Sequence, residues 1–223
     1  MIGNVRKSER TKKKLKEILI DLCGEKGYQN VTIGDICEKA ETYRSTFYRY
    51  YDTKDDMLRE IEREYIDATR DLTPSFEDLR KELSEEEYGR LREELTQDMK
   101  YHQSHKKLCL FLLSPYGDPY FTRKMAESIT KTAERAIKKH GSSYSSNQKY
   151  VLSFFANGFI STIYEWLRRE DCSAEEIADV LISIDQLMLI YGIAGTEVQA
   201  MVDKKCHRQE KRMHDAIKKN LEG

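Results

Sequence analysis

The chain has 223 residues, enough for one large core or for a small domain beside a larger one, and its 38 Lys and Arg nearly balance 39 Asp and Glu. No stretch approaches the run of about 18 apolar residues that a membrane-spanning helix needs, so no membrane contact is expected. Five cysteines (Cys23, Cys37, Cys109, Cys172 and Cys206) form no C-x-x-C pair and follow no secretory leader, which argues against a secreted disulfide framework and for a reducing cytoplasm.

With three prolines, 35% charged residues and a recurrent 3.6-residue period, the chain is expected to be all-α. Its charge is uneven. Residues 1–54 hold twelve Lys and Arg against eight Asp and Glu, in a chain whose formal net charge is -1. A basic end on an acidic body suits a protein that meets DNA through one domain only.

The N-terminal segment carries Arg6, Lys7, Arg10, Lys12, Lys13 and Lys14, a solvated arm and first helical turn that can also reach phosphates. Leu15, Ile18, Leu19, Leu22 and Cys23 then fall at i, i+3, i+4, i+7 and i+8, the stripe of a buried helix face that Gly24 and Gly27 should end. Thr32 followed by Asp35 reads as a capping box, which starts a second helix near Ile33. Ile33, Ile36, Cys37 and Ala40 line one face of that helix, and Phe47, Tyr50 and Tyr51 line one face of the segment after it. Both faces can share a small core. Outside it stand Arg44, Ser45, Thr46, Tyr48 and Arg49, a donor-rich set free of acid that suits a duplex groove. Thr53 with Asp56 repeats the capping device, and Lys54 sits in the helical turn that follows.

The run from Arg10 to Leu58 resembles the DNA-binding domain of the TetR family of transcriptional regulators. Its order is Thr before an apolar pair, Ala closing the second helix, an aromatic Thr-Phe-Tyr-x-Tyr-Tyr segment, and a Lys at the next helix start. The likeness implies that Arg44, Ser45 and Thr46 face bases, that Thr32, Tyr48, Tyr50 and Lys54 hold phosphates, and that Phe47 and Tyr51 are core. The turn and one position of the second helix depart from the usual pattern. The turn is Glu41-Thr42-Tyr43 with no glycine, which requires a left-handed non-Gly residue or another turn geometry. Gly34 leaves the second helix without a long side chain at that point, so more of the reading falls to Arg44.

A fourth helix is predicted from about Asp55 to Asp71, with Leu58, Ile61, Tyr65 and Ala68 or Leu72 inward, stopped by Thr73-Pro74. Further helix covers residues 76–113, with Phe76, Leu79 and Leu83, then Leu91, Leu95 and Met99 on a stripe; Glu82 to Glu87 reads as a solvated start after Ser84. Pro115 to Pro119 is a break. Helices follow from about Pro119 to His140, from about Asn147 to Arg169, and from a Ser173–Glu176 cap to about Ile193. The segment from Gly158 to Ala178 is similar to a C-terminal region in the subset of TetR-like regulators that includes dihydroxyacetone-kinase operon regulators. The likeness implies that the last two long helices build a four-helix dimer bundle, through Gly158, Ile163, Leu167, Ile177, Leu181 and Ile184.

The expected architecture is therefore an N-terminal three-helix helix-turn-helix domain (1–54), a helical domain for dimerisation and ligand binding (55–196), and a basic helical extension (197–223) of no assigned role. An effector pocket is the family's usual companion, and Tyr101, Phe111, Tyr116, Tyr120, Phe121, Phe155, Phe159 and Trp166 are its candidate lining. His102, His105 and Cys109 lie at i, i+3 and i+7, but no fourth ligand accompanies them, so neither a metal nor another cofactor is expected. No nucleophile elbow, phosphate-cradling loop or paired acid and base points to an enzyme. The function expected is a homodimeric, sequence-specific DNA-binding repressor on an inverted-repeat operator, released by a small-molecule effector. Control by a protein partner, and a helical enzyme or scaffold with an incidental helix-turn-helix, are the competing readings.

Overall fold

In the computed structural model, which describes residues 2–72, 84–139 and 148–188, the first helix α1 (Ile2–Lys26) runs longer than its apolar stripe. The basic segment is helical, and Gly24 lies inside the helix instead of ending it. Gly27 makes the stop: its φ of +77° turns the chain into a short 3-10 segment, Tyr28–Asn30. Leu15, Ile18, Leu19, Leu22 and Cys23 are all buried.

α2 (Ile33–Lys39) starts from the Thr32–Asp35 box, both halves of which are made: Asp35 N donates to Thr32 Oγ1 at 3.2 Å and Thr32 N to Asp35 Oδ2 at 2.7 Å. Its end has the two bonds of a Schellman motif, Thr42 N to Cys37 O at 2.9 Å and Glu41 N to Glu38 O at 3.0 Å. Glu41, at φ 54°, takes the left-handed place that glycine usually fills. Lys14 reaches from α1 to donate to Ala40 O at 2.8 Å, which satisfies another carbonyl of the same turn. α3 (Arg44–Tyr48) follows, with Phe47 fully buried beneath it.

α4 (Lys54–Leu72) begins at the Thr53–Asp56 box and buries Leu58, Ile61 and Tyr65, together with Met57, Glu62 and Thr69. Ion pairs bind it to α1, from Lys12 to Glu60 at 2.8 Å and from Lys16 to Glu60 and Glu64 at 2.8 and 2.6 Å. Burial alone would raise the Glu60 pKa, yet the two lysines outweigh it and hold the carboxyl at about 2. The helix stop at Thr73-Pro74 and the candidate core residues Phe76, Leu79 and Leu83 lie outside the described residues.

The helical stretch expected over 76–113 is divided where the structure describes it. α5 (Glu85–Ser104) opens on a Ser84–Glu87 capping box, and His105 separates it from α6 (Lys106–Leu113). After the turn through Pro115 and Pro119 come α7 (Phe121–Lys139), α8 (Gln148–Arg169) and α9 (Ala174–Met188). Among the described residues there is no strand, and one apolar core continues from Leu15 in α1 to Leu181 in α9. α9 packs along α5 through Leu91, Leu95, Ala178 and Ile182, with Arg92 clasping Asp179 at 2.6 and 3.0 Å. No helix among the described residues is long and apolar enough to cross a membrane.

Candidate nucleic-acid interface and effector cavity

α3 is anchored from beneath and bare on top. Phe47 and Tyr51 are buried, and their rings meet at 5.7 Å between centroids. Arg44, Ser45, Tyr48 and Arg49 are exposed, and Thr46 is half-buried. Tyr43, the residue before the helix, is 82% exposed and makes no side-chain capping bond. A large aromatic left in water at the front of a short helix belongs to the same face, which residue type alone did not reveal. The Arg44 guanidinium lies against the bare backbone of Gly34, so Gly34 provides the space that Arg44 occupies.

The four expected phosphate residues differ in setting. Thr32 is exposed but engaged in its capping box, Tyr48 is exposed, and Tyr50 is half-buried. Lys54 is turned inward: its ammonium donates to Tyr28 O at 2.8 Å and Val31 O at 2.7 Å and lies 4.1 Å from the centroid of the Tyr28 ring. It brackets the 3-10 segment against α4, which leaves one of its three N–H donors uncommitted.

Behind this interface, a buried polar pair interrupts the core. Asp98 and His102 are each 1% exposed, and neither Asp98 oxygen nor His102 Nε2 has a hydrogen-bond partner among the described residues. His102 Nδ1 is joined to Tyr65 Oη at 2.5 Å. Burial raises the Asp98 pKa to about 7; burial, then the charge of His105, lowers that of His102 to about 4. Both face a cavity under α4, α5 and α7 whose wall includes Ile66, Thr69, Met125, Ile129 and Phe159. The sequence does contain a signal for them. Leu91, Leu95, Met99 and His102 follow the core-facing spacing of α5, and Asp98 sits beside Met99 on that face, so polar residues occupy positions where apolar ones belong.

Of the eight aromatic residues expected to line an effector pocket, only Phe159 borders this cavity. Phe111, Phe121 and Trp166 are core, with Trp166 Nε1 donating to Cys172 O at 2.9 Å. Tyr116 and Tyr120 stand 71% and 59% exposed on the turn between α6 and α7. Phe155 is half-buried, and Tyr101 packs between Tyr65 and His105. His102 and Cys109 are buried while His105 is exposed, so the three do not converge; among the described residues no three His, Cys, Asp or Glu side chains are grouped to hold a metal.

The expected dimer residues fall on different faces. Ile163, Leu167, Ile177 and Leu181 are buried inside this chain's own core. Gly158 faces outward, and a Cβ there would meet nothing within 4 Å. Tyr150 and Phe154 share its face of α8 at 68% and 73% exposure, Val180 is 47% exposed on α9, and Ile184 is half-buried. The 3.6-residue period marked both sides of α8 as apolar, and packing against α7 claimed the more aliphatic one.

An all-helical chain with a capped second helix, a Schellman turn and an exposed donor-rich third helix is a helix-turn-helix transcription regulator. Two family models agree: the bacterial regulatory proteins of the tetR family match residues 20–61, and a transcriptional regulator C-terminal region of that family matches residues 90–185. The chain belongs to the TetR family. Among solved structures, a TetR transcriptional regulator from Streptococcus agalactiae is similar, with 21% identity, a TM-score of 0.57, and coverage of 82% of this chain and 98% of that one. A tetR-family regulator from Streptomyces coelicolor gives 20% identity and a TM-score of 0.52, with 88% of each chain covered. The dihydroxyacetone kinase operon activator DhaS gives 15% identity and a TM-score of 0.54, over 80% of this chain and 96% of that one. No curated protein gives a significant sequence match.

Proposed function

We propose that this TetR-family regulator is a homodimeric repressor that binds an inverted-repeat operator and is released by a small-molecule effector. In this reading residues 1–54 contact DNA, with Arg44, Ser45 and Thr46 at base edges and Thr32, Tyr48, Tyr50 and, through its remaining donor, Lys54 at phosphates. Residues 55–196 bind the effector and the second copy. The observation that carries the DNA contact is the exposure of Arg44, Ser45, Tyr48 and Arg49 over a buried Phe47, a basic hydrogen-bonding face held rigidly from below.

A single five-residue recognition helix reaches only a few base pairs, so a second copy is needed for a unique site. The outward face of α8 and α9, bearing Tyr150, Phe154, Gly158, Val180 and Ile184, is the surface available for it. Exposed aromatics clustered around a glycine suit close packing of helices from two copies. Two recognition helices would then enter successive major grooves on one side of the duplex, about 34 Å apart. The test is a mobility shift with DNA from upstream of the chain's own gene, competed by unrelated duplex. A complex that survives the competitor and maps to an inverted repeat is expected, whereas equal loss to any duplex would overturn the reading.

A further inference from the structure

The cavity that Asp98 and His102 face adjoins a groove between α4 and α7. The inner space admits the centre of a water molecule over about 10 Å³, room for one small polar group, and the outer groove over about 290 Å³. Ile66, Arg70, Ser128 and Thr132 line both, so the two are adjacent, and Arg70 Nε donates to Ser128 Oγ at 3.4 Å among these shared residues. The inner end presents Asp98 Oδ1, Oδ2 and His102 Nε2, all buried and none hydrogen-bonded, with His102 Nε2 3.4 Å from Asp98 Oδ1. The outer end is basic: Arg70, Lys124, Lys131 and Arg135 line it against one carboxylate, Glu127. Lys124 is held by Glu62 and Asp118 at 2.6 Å each, and Arg70 by Asp67 at 2.5 Å, whereas Lys131 and Arg135 are exposed at the mouth.

Both ends constrain the ligand. At 3.4 Å the Asp98 carboxyl and His102 Nε2 are too far apart for a strong bond, so a group that donates and accepts at once can serve both. If Tyr65 donates to His102 Nδ1, the ring proton stays on Nε2 and calls for an acceptor, while Asp98 calls for a donor. A hydroxyl satisfies both, in either imidazole tautomer, within a space of one water. The cationic mouth favours a negative charge on the part of the ligand that remains near solvent.

We propose that this site binds a small hydroxylated organic anion, whose hydroxyl sits in the cavity against both Asp98 and His102 and whose carboxylate or phosphate lies against Lys131, Arg135 and Arg70. The proposal rests on the effector-controlled reading above and names the chemical class of the effector. The groove's volume is at the lower end of ligand pockets, which suits a compact acid or phosphate ester and not a long-chain one. Displacing a water from the inner space is favourable only for a group that reproduces its hydrogen bonds, which is how the hydroxyl would confer selectivity.

Paired probes test this on the full chain by calorimetric titration and thermal melting. Malate is set against succinate, and glycerol 3-phosphate against propyl phosphate, so that each pair differs in hydroxyl content while keeping the anion. Inorganic phosphate and glycerol serve as the anion-only and hydroxyl-only probes. In at least one pair the hydroxylated member should bind ten-fold or more tighter than its partner, and which pair responds distinguishes carboxylate from phosphate. Asp98→Asn, close in shape, should remove that advantage, and Lys131→Ala with Arg135→Ala should weaken both members of the responding pair with helical content unchanged. Equal binding within both pairs, no binding by either, or full retention of selectivity in Asp98→Asn would overturn the inference. Binding of inorganic phosphate alone would do the same, as a surface anion effect. A mobility shift with no probe present is scored separately, so a chain that binds operator but fails these tests loses the effector class and keeps the DNA-binding reading.

Discussion

The Arg44 guanidinium lies over Gly34, with Nη2 3.0 Å from where a Cβ on Gly34 would stand. The recognition helix and the helix before it thus share one side chain, and the resting direction of Arg44 depends on the absence of a methyl group. Gly34→Ala should leave stability unchanged or raise it by up to about 1 kcal/mol, because alanine favours helix and only a flexible side-chain end must move. Operator affinity should change at the base pair that Arg44 reads. Arg44→Ala is expected to lose about 1–3 kcal/mol, mainly at one base pair per half-site. Binding measured across operator variants checks both; a uniform loss would make Arg44 a backbone contact.

Glu41 occupies the left-handed position of the Schellman turn at φ 54°. A side chain there costs about 1–2 kcal/mol, and glycine returns some of this through the greater entropy of the unfolded chain. Glu41→Gly should therefore raise unfolding free energy by roughly 0.5–1 kcal/mol in urea denaturation. A destabilised variant would show that the Glu41 side chain has a compensating contact.

Lys54 and Tyr48 should separate structure from DNA contact. Lys54→Met removes both backbone bonds to Tyr28 and Val31, so its first effect should be a lower melting temperature for the protein alone. Tyr48→Phe, at an exposed ring, should leave melting unchanged while weakening binding about equally across sequences. Melting curves with and without operator resolve the two cases. An unaltered Lys54→Met melt would mean that its internal bonds add nothing.

Gly158→Leu places a large side chain where this chain offers nothing within 4 Å, so the isolated fold should tolerate it. Sedimentation should then report monomer at concentrations where the parent chain is a dimer, and binding to the full operator should be lost with helical content intact. A variant that stays dimeric would move the interface off this face of α8.

The buried pair predicts a compensated pH response. The Asp98 pKa rises from 3.8 to about 7, so its protonated folded form stabilises at low pH and that stability is lost as pH rises toward 7. The His102 pKa falls from 6.5 to about 4, so its neutral folded form loses stability as pH falls from 6.5 to 4. Between about 4 and 6.5 the two effects oppose and nearly cancel, since folded and unfolded chains each hold one proton on the pair. Asp98→Asn should expose the histidine alone, with stability falling on acidification by up to roughly 1.4 kcal/mol per pH unit. His102→Gln should show the reverse slope up to pH 7. Denaturation at several pH values checks the signs, and parallel profiles for both variants would refute the coupling.

Much of the fold was legible because its signals are local. The three boxes at Thr32, Thr53 and Ser173 need only residues three apart, and the stripe from Leu15 to Cys23 needs only the helical period. For the same reason the exposed face of α3 could be read from Arg44 to Arg49, whereas the missing glycine at Glu41 left two possibilities, a left-handed residue or another turn geometry, between which the fold chose the first. What the chain alone could not decide was which neighbour each apolar face would meet. Ile163 and Gly158 lie on opposite sides of one helix, and both sides look apolar in the sequence; packing with α7 and α9 buries the first and leaves the second open. That Lys54 commits two of its three donors to the carbonyls of Tyr28 and Val31, within 2.8 Å, is likewise decided by the fold alone. Of the aromatic residues expected to line a pocket, Phe111, Phe121 and Trp166 fill the core, Tyr116 and Tyr120 stay exposed, and Phe159 borders the cavity that Asp98 and His102 face. Periodicity states which side of a helix avoids water, whereas the partner that satisfies that side is set by contacts distant in sequence.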